Sequence, residues 1–259
     1  MTPLQAALLG LIQGLTEFLP VSSSGHLALG QAILGIETGD VSFEVIVHFG
    51  TLLAVLTALR ERIHNLVMGC LRGDRKAWQM GLLLILGTVP AAVAGLVFKD
   101  FLASTFANPR AVSGWLIVTG IVLWSTRSRA GERTQTGLWD AIWIGVAQAL
   151  AVLPGISRSG STIAAGLWRG LDGREAATFS FLLSIPIILG ATVLELGDLV
   201  AHPPTQEALV PLVVGACTAY VSGVVAIRWL LRLLQGGRLD RFAYYCWVVG
   251  AVGLLFFGI

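Results

Sequence analysis

Six stretches of this chain are apolar for long enough to cross a lipid bilayer, which takes about 20 residues in a helix. They run near residues 43–59, 80–98, 111–126, 176–197, 209–233 and 242–259. Inside a membrane every backbone N–H and C=O must be satisfied within the chain, so such stretches fold as helices. The composition agrees: 12% of the residues are charged, against about 25% in soluble domains. A net charge of +2 implies no nucleic-acid partner. Cys70, Cys217 and Cys246 are far apart, form no metal-binding spacing and read as small apolar residues. The first ten residues lack the basic start of a signal peptide, so a cleaved leader is not expected.

Two further apolar stretches, 3–34 and 138–170, are broken in the middle by Pro, Gly and Ser. Thr2-Pro3 reads as a helix start and Pro20 as its stop, with a second short helix after Gly25. Pro154 and Gly155 interrupt the other stretch in the same way. Two half-length helices joined by a polar turn describe a re-entrant helical hairpin. Non-helical backbone at membrane depth survives only where it is buried in protein or lines a wet cavity, so each break points to a site.

The halves resemble each other. At a shift of 135, Gln13 meets Gln148, Ser24 meets Ser159 and Gly25 meets Gly160. The expectation is a single all-α polytopic membrane domain over 1–259, made of six transmembrane helices plus two hairpins. Repeat one covers 1–130 and repeat two 131–259. Each has a hairpin and three spans, and the odd number of crossings inverts the second repeat. This topology gathers fourteen basic residues on one face, from Arg60 and Arg62 to Arg238 and Arg241. Lys99 and Arg110 fall on the other face, and Arg158 in a hairpin tip. The positive-inside rule makes the rich face cytoplasmic. One hairpin then enters from each side, and their tips can meet within the bundle.

Each tip ends where a helix begins, and helix N-termini attract anions. Ser22, Ser23, Ser24, Ser157, Ser159, Ser161 and Thr162 add hydroxyl donors around Gly25 and Gly160. Arg158 adds a fork suited to phosphate oxygens. Serines also cap helices, which would explain any one of them, but no cap requires Arg158. Gln13 and Glu17 share a helix face, and a carboxylate there suits a divalent cation or a base. His26 is a side chain for proton transfer near neutral pH. Hydroxyl, base, cationic fork and anion nest together form the set needed for nucleophilic phosphoryl transfer. His48, His64 and His202 lack such company; His48 and Glu195 fall within spans and read as packing or proton-linked residues. The Trp and Tyr residues read as interface belts and core.

GLIQGLTEFLPVSSSGHL and LPGISRSGSTI resemble the two signature segments of the bacitracin-resistance family of undecaprenyl-diphosphate phosphatases. FEVIVHFGTLLAV and FSFLLSIPIILGAT resemble that family's spans, so the likeness covers nearly the whole chain. It implies a bacterial inner-membrane enzyme that hydrolyses a polyprenyl diphosphate lipid to the monophosphate. The reaction would run on the outward side with a divalent cation, Mg2+ or Ca2+, and recycle the cell-wall lipid carrier. By position, Ser23 matches the nucleophile, His26 its partner, Glu17 the second acid and Arg158 the phosphate-binding arginine. Gln13 stands where the family often has Glu. It can still offer a cation its amide oxygen but cannot be a base, which shifts acid–base work to Glu17 and His26. Attack by Ser23 through a phosphoserine and direct attack by water both remain open, as does a homodimer. The rival reading is a polyprenyl-phosphate flippase, because inverted repeats with broken helices are a transporter design.

Overall fold

The structure, a computed structural model, describes residues 1–36, 41–106, 108–129, 131–201, 205–236 and 238–258. In chain order the helices are α1 (Pro3–Phe18), α2 (Ser23–Ile33), α3 (Val41–Ala58), α4 (Arg60–Leu71), α5 (Arg75–Val97) and α6 (Lys99–Phe106). They continue with α7 (Pro109–Trp124), α8 (Leu138–Leu150), α9 (Arg158–Trp168), α10 (Gly173–Ala201), α11 (Gln206–Leu233) and α12 (Arg241–Phe257). No strand occurs among the described residues. His202 and the side chains of Lys99 and Glu195 lie outside the described residues.

Local chemistry sets the helix ends. Thr2 and Gln5 form a reciprocal capping box, with Pro3 in the first turn of α1. Leu19 is extended, with φ −67 and ψ 145, because Pro20 drives the preceding residue out of the helical region. α5, α11 and α10 over Gly173–Val193 are long and apolar enough to span a membrane, and the bent pair of α3 and α4 makes a fourth if counted as one. The chain is therefore an all-helical, multi-pass membrane protein. By length alone the count falls below the six read from the sequence. α7 and α12 have 16 and 17 residues, about 24–26 Å at 1.5 Å per residue.

α4 and α6 are elements the sequence reading left as connections. α4 leaves α3 at 77° and buries none of its residues. Its polar residues Arg60, Glu61, Arg62, His64 and Asn65 hide it from a search for apolar runs.

The molecule is apolar outside and keeps a set of polar residues inside a largely apolar core. Leu82, Ile85, Val89, Val93 and Leu96 of α5 face outward, as lipid contact requires. Gln13, Glu17, Ser157, Ser159, Thr162, Ser180 and Ser184 are buried. Glycines bring the helices close. A Cβ at Gly10 or Gly14 of α1 would run into the backbone of Gly215 or Ala219 on α11. A Cβ at Gly145 of α8 would run into Gly87 of α5. Thus α1 packs on a helix of the other half, and so does α8.

Candidate active site

The first turn places Ser23 at the start of α2. Ser22 caps that helix, its Oγ accepting from Gly25 N at 3.3 Å. It does so with φ at +71, the sole positive φ of a non-glycine residue among the described residues. That region is costly for a residue with a Cβ, and such residues cluster at functional sites. The second turn repeats the plan: Ser157 caps α9 and accepts from Gly160 N at 3.0 Å. Here the positive φ, +95, belongs to Gly155, which takes it without steric cost.

The two turns touch. A Cβ on Gly25 would come within 3.2 Å of the Gly155 Cα, so any side chain there would press the turns a few tenths of an ångström apart. Ser159 Oγ donates to the Leu19 carbonyl at 2.9 Å. Arg158 Nη2 donates to Glu17 Oε1 at 2.6 Å, and Nη1 to the Ser180 carbonyl at 3.3 Å. Glu17 Oε2 accepts from Ser23 Oγ at 2.5 Å and from Gln13 Nε2 at 3.1 Å. Arg158, Ser23 and Gln13 all donate to Glu17, which is the environment of an ionised carboxylate. A hydroxyl donating to a carboxylate is poised to lose its proton as it attacks.

Glu17, Ser22, Ser23, Ser24, Ser157 and Arg158 line a cavity of about 330 Å³. Its far wall is apolar, formed by Val45, Phe106, Ile187 and Ile188. Gly25, Ser159, Gly160, Ser161 and Thr162 are not among the lining residues. Gly160 N is spent on the Ser157 cap, and Ser159 on Leu19. Thr162 Oγ1 donates to the Arg158 carbonyl at 2.8 Å and pairs with Ser180 Oγ at 2.6 Å. These residues build the turn and do not face the cavity. His26 also turns away: Nδ1 lies 2.8 Å from the Ser22 carbonyl and Nε2 2.9 Å from the Tyr245 hydroxyl. The partner of Ser23 in this structure is therefore Glu17.

Two cavity residues escaped the sequence reading. Glu44 lines the wall, with Gln31 Nε2 3.4 Å from its carboxylate. His48, read as packing or proton-linked, also lines it, and its Nε2 lies 3.9 Å from Glu17 Oε2. The available signal was an ionisable pair, Glu44 and His48, four residues apart within an apolar span.

No cluster of three or more His, Cys, Asp and Glu able to hold a metal ion occurs among the described residues. Gln13 Oε1, however, is buried with no hydrogen-bond partner. A buried acceptor left unpaired calls for a group the chain does not supply. Beside Glu17 it suits a hard divalent cation, although Gln13 itself is not among the residues lining the cavity. Gln148, its counterpart on α8, also has an unpartnered Oε1, with Nε2 given to the Gly87 carbonyl at 3.2 Å.

A cavity in a helical membrane protein, with a hydroxyl and a guanidinium on one carboxylate, is an arrangement of groups suited to an anionic substrate. The chain belongs to the bacitracin resistance protein BacA family, whose model matches residues 6–252. It is 44% identical to the undecaprenyl-diphosphatase of Carboxydothermus hydrogenoformans, covering 98% of this chain and 97% of the relative. It is 45% identical to that of Syntrophotalea carbinolica, over 100% and 99% of the two chains. With that of Salinibacter ruber it shares 42% identity, over 98% and 99%.

Proposed function

We propose that this protein hydrolyses undecaprenyl diphosphate to undecaprenyl phosphate and inorganic phosphate. In a bacterium this would recycle the lipid carrier of cell-wall synthesis and confer resistance to bacitracin. The observation that carries the reading is the Ser23 hydroxyl, 2.5 Å from a carboxylate that also holds Arg158.

The diphosphate enters the cavity and its prenyl end lies along Val45, Ile187 and Ile188. Arg158 and the amides of Ser23 and Ser24 at the start of α2 bind the terminal phosphoryl group. Ser23 Oγ attacks that phosphorus, its proton passes to Glu17, and the bond to the bridging oxygen breaks, releasing undecaprenyl phosphate. Water then attacks the phosphoserine. Ser23 Oγ takes back the proton from Glu17, and the phosphate leaves with both protons of the water. Gln13 Oε1 and Glu17 would hold the divalent cation, Mg2+ or Ca2+, which when bound draws charge from the phosphate oxygens.

The reading includes a topology. α3, α5, α7, α10, α11 and α12 are the six spans, with α1–α2 and α8–α9 as re-entrant hairpins. The halves 1–130 and 131–259 are related by inversion. The matching of Gly10 on α11 by Gly145 on α5 supports this. The cavity takes residues from the start of α3 and the second half of α10. Arg60, Arg174 and Arg228 mark the opposite ends of α3, α10 and α11. By the positive-inside rule the cavity then opens to the outer side of the bacterial inner membrane.

Purified protein in detergent should release phosphate from undecaprenyl diphosphate, and a chelator should slow it. A flippase has nothing to release in that assay, so a preparation without turnover overturns the reading.

A further inference from the structure

His26 stands three residues after Ser23, yet both its nitrogens are engaged away from the cavity. Nδ1 lies 2.8 Å from the Ser22 carbonyl oxygen and Nε2 2.9 Å from the Tyr245 hydroxyl. The two ring planes are within 8° of each other. A carbonyl oxygen can only accept, so Nδ1 carries the proton. In the neutral ring Nε2 is then the acceptor, and Tyr245 O–H is the donor. The chain of bonds has one direction, from Tyr245 through His26 to Ser22.

It ends on the residue held at φ +71. The same carbonyl accepts the His26 backbone N–H at 3.1 Å. The conformation of Ser22 sets the course of the chain into α2, whose first residue is Ser23. α12 also meets this turn at the neighbouring position, where Cys246 Sγ lies 3.8 Å from the Pro20 carbonyl. The second turn is gripped in a like manner by α7. Thr119 Oγ1 donates to the Gly155 carbonyl at 2.8 Å and accepts from Ser157 N at 3.0 Å. α7 and α12 pack on each other, so one helix pair frames both turns.

We propose that Tyr245 is a positioning residue for the reaction. By fixing His26 with its proton on Nδ1, it holds Ser22 in its left-handed conformation and keeps the Ser23 hydroxyl on Glu17. His26 then carries no proton to or from the substrate. This rests on the phosphatase reading above.

Tyr245→Phe removes the donor alone, and the half-exposed ring keeps its place. Loss of one hydrogen bond in the chain should lower kcat by about tenfold. KM should stay within about twofold, because no group that touches the substrate has changed. The pH–rate profile should keep its shape. His26→Asn, whose amide N–H takes the place of Nδ1–H, should recover most of the activity that His26→Ala loses. Rates are compared per folded, monodisperse protein. Wild-type kcat in Tyr245→Phe overturns the proposal. So does a His26→Asn as inactive as His26→Ala, or the loss of a limb of the pH profile in either His26 variant. An inactive wild-type protein overturns the phosphatase reading instead, which keeps the two failures apart.

Discussion

Glu17 receives three donors that serve different ends: Ser23 for chemistry, Arg158 for the anion and Gln13 for orientation. Replacing it by Gln keeps the shape and removes both the proton acceptor and the counter-charge of Arg158. A general base contributes about 10²–10⁴-fold. Glu17→Gln should therefore lower kcat by about 10³-fold, read as phosphate release under saturating lipid. Arg158→Lys is a subtler trial. The guanidinium reaches Glu17 and Ser180 at once, which a single ammonium cannot do with the same geometry. At about 1.5–3 kcal/mol for a charged hydrogen bond, kcat/KM should fall roughly 10–100-fold. The pairing of Glu17 with Arg158 could be suspected from the sequence, because buried charges need partners. The turning away of His26 could not. It depends on a ring lying back over the preceding turn, and on a hydroxyl 219 residues further along the chain.

The breaks between α1 and α2 and between α8 and α9 were the most legible features of these two helix pairs, because Pro20, Pro154 and the serine caps punctuate an otherwise apolar text. What closes them was less visible. At the base of the second, Arg133 Nη1 and Nη2 each bond Asp140 at 2.9 Å, and Arg169 Nε reaches it at 3.1 Å. This cluster ties the segment before α8 to the end of α9. No pattern of apolar residues could reveal it. Burial works to raise the Asp140 pKa, but the Arg133 fork, the Gly137 N–H and Arg169 outweigh it and hold the carboxyl below its ordinary value. A lowered carboxyl stabilises the fold above its unfolded pKa of about 3.9. That contribution disappears as pH falls through the folded value. Asp140→Asn should lower the melting temperature by about 5 °C at neutral pH. In acid the two melting curves should converge.

At the scale of the whole molecule, the apolar runs disclosed a membrane protein and counted six spans, where three helices, or four with the bent pair as one, are long and apolar enough to cross. Length is a poor ruler where helices bend, as α3 and α4 do at 77°, or fall short, as α7 and α12 do. The distribution of arginines is a guide independent of length. If it reports the topology, Glu132 and Ser104 lie on opposite sides of the membrane. A membrane-impermeant thiol reagent should label Glu132→Cys in inside-out vesicles and Ser104→Cys in right-side-out ones. Labelling of both from one side would sink the inverted arrangement.

The crossed packing of α1 on α11 and α8 on α5 has a consequence for how the chain can be divided. Each half lends its hairpin to the other, like two hands clasped, and neither keeps the partner of its own glycine seam. A break in the connection between α7 and α8 would leave two fragments with unfilled grooves, Gly215 and Ala219 in one and Gly87 in the other. Made apart, each should be degraded. Made together in one cell, they should find each other and restore activity by fragment complementation.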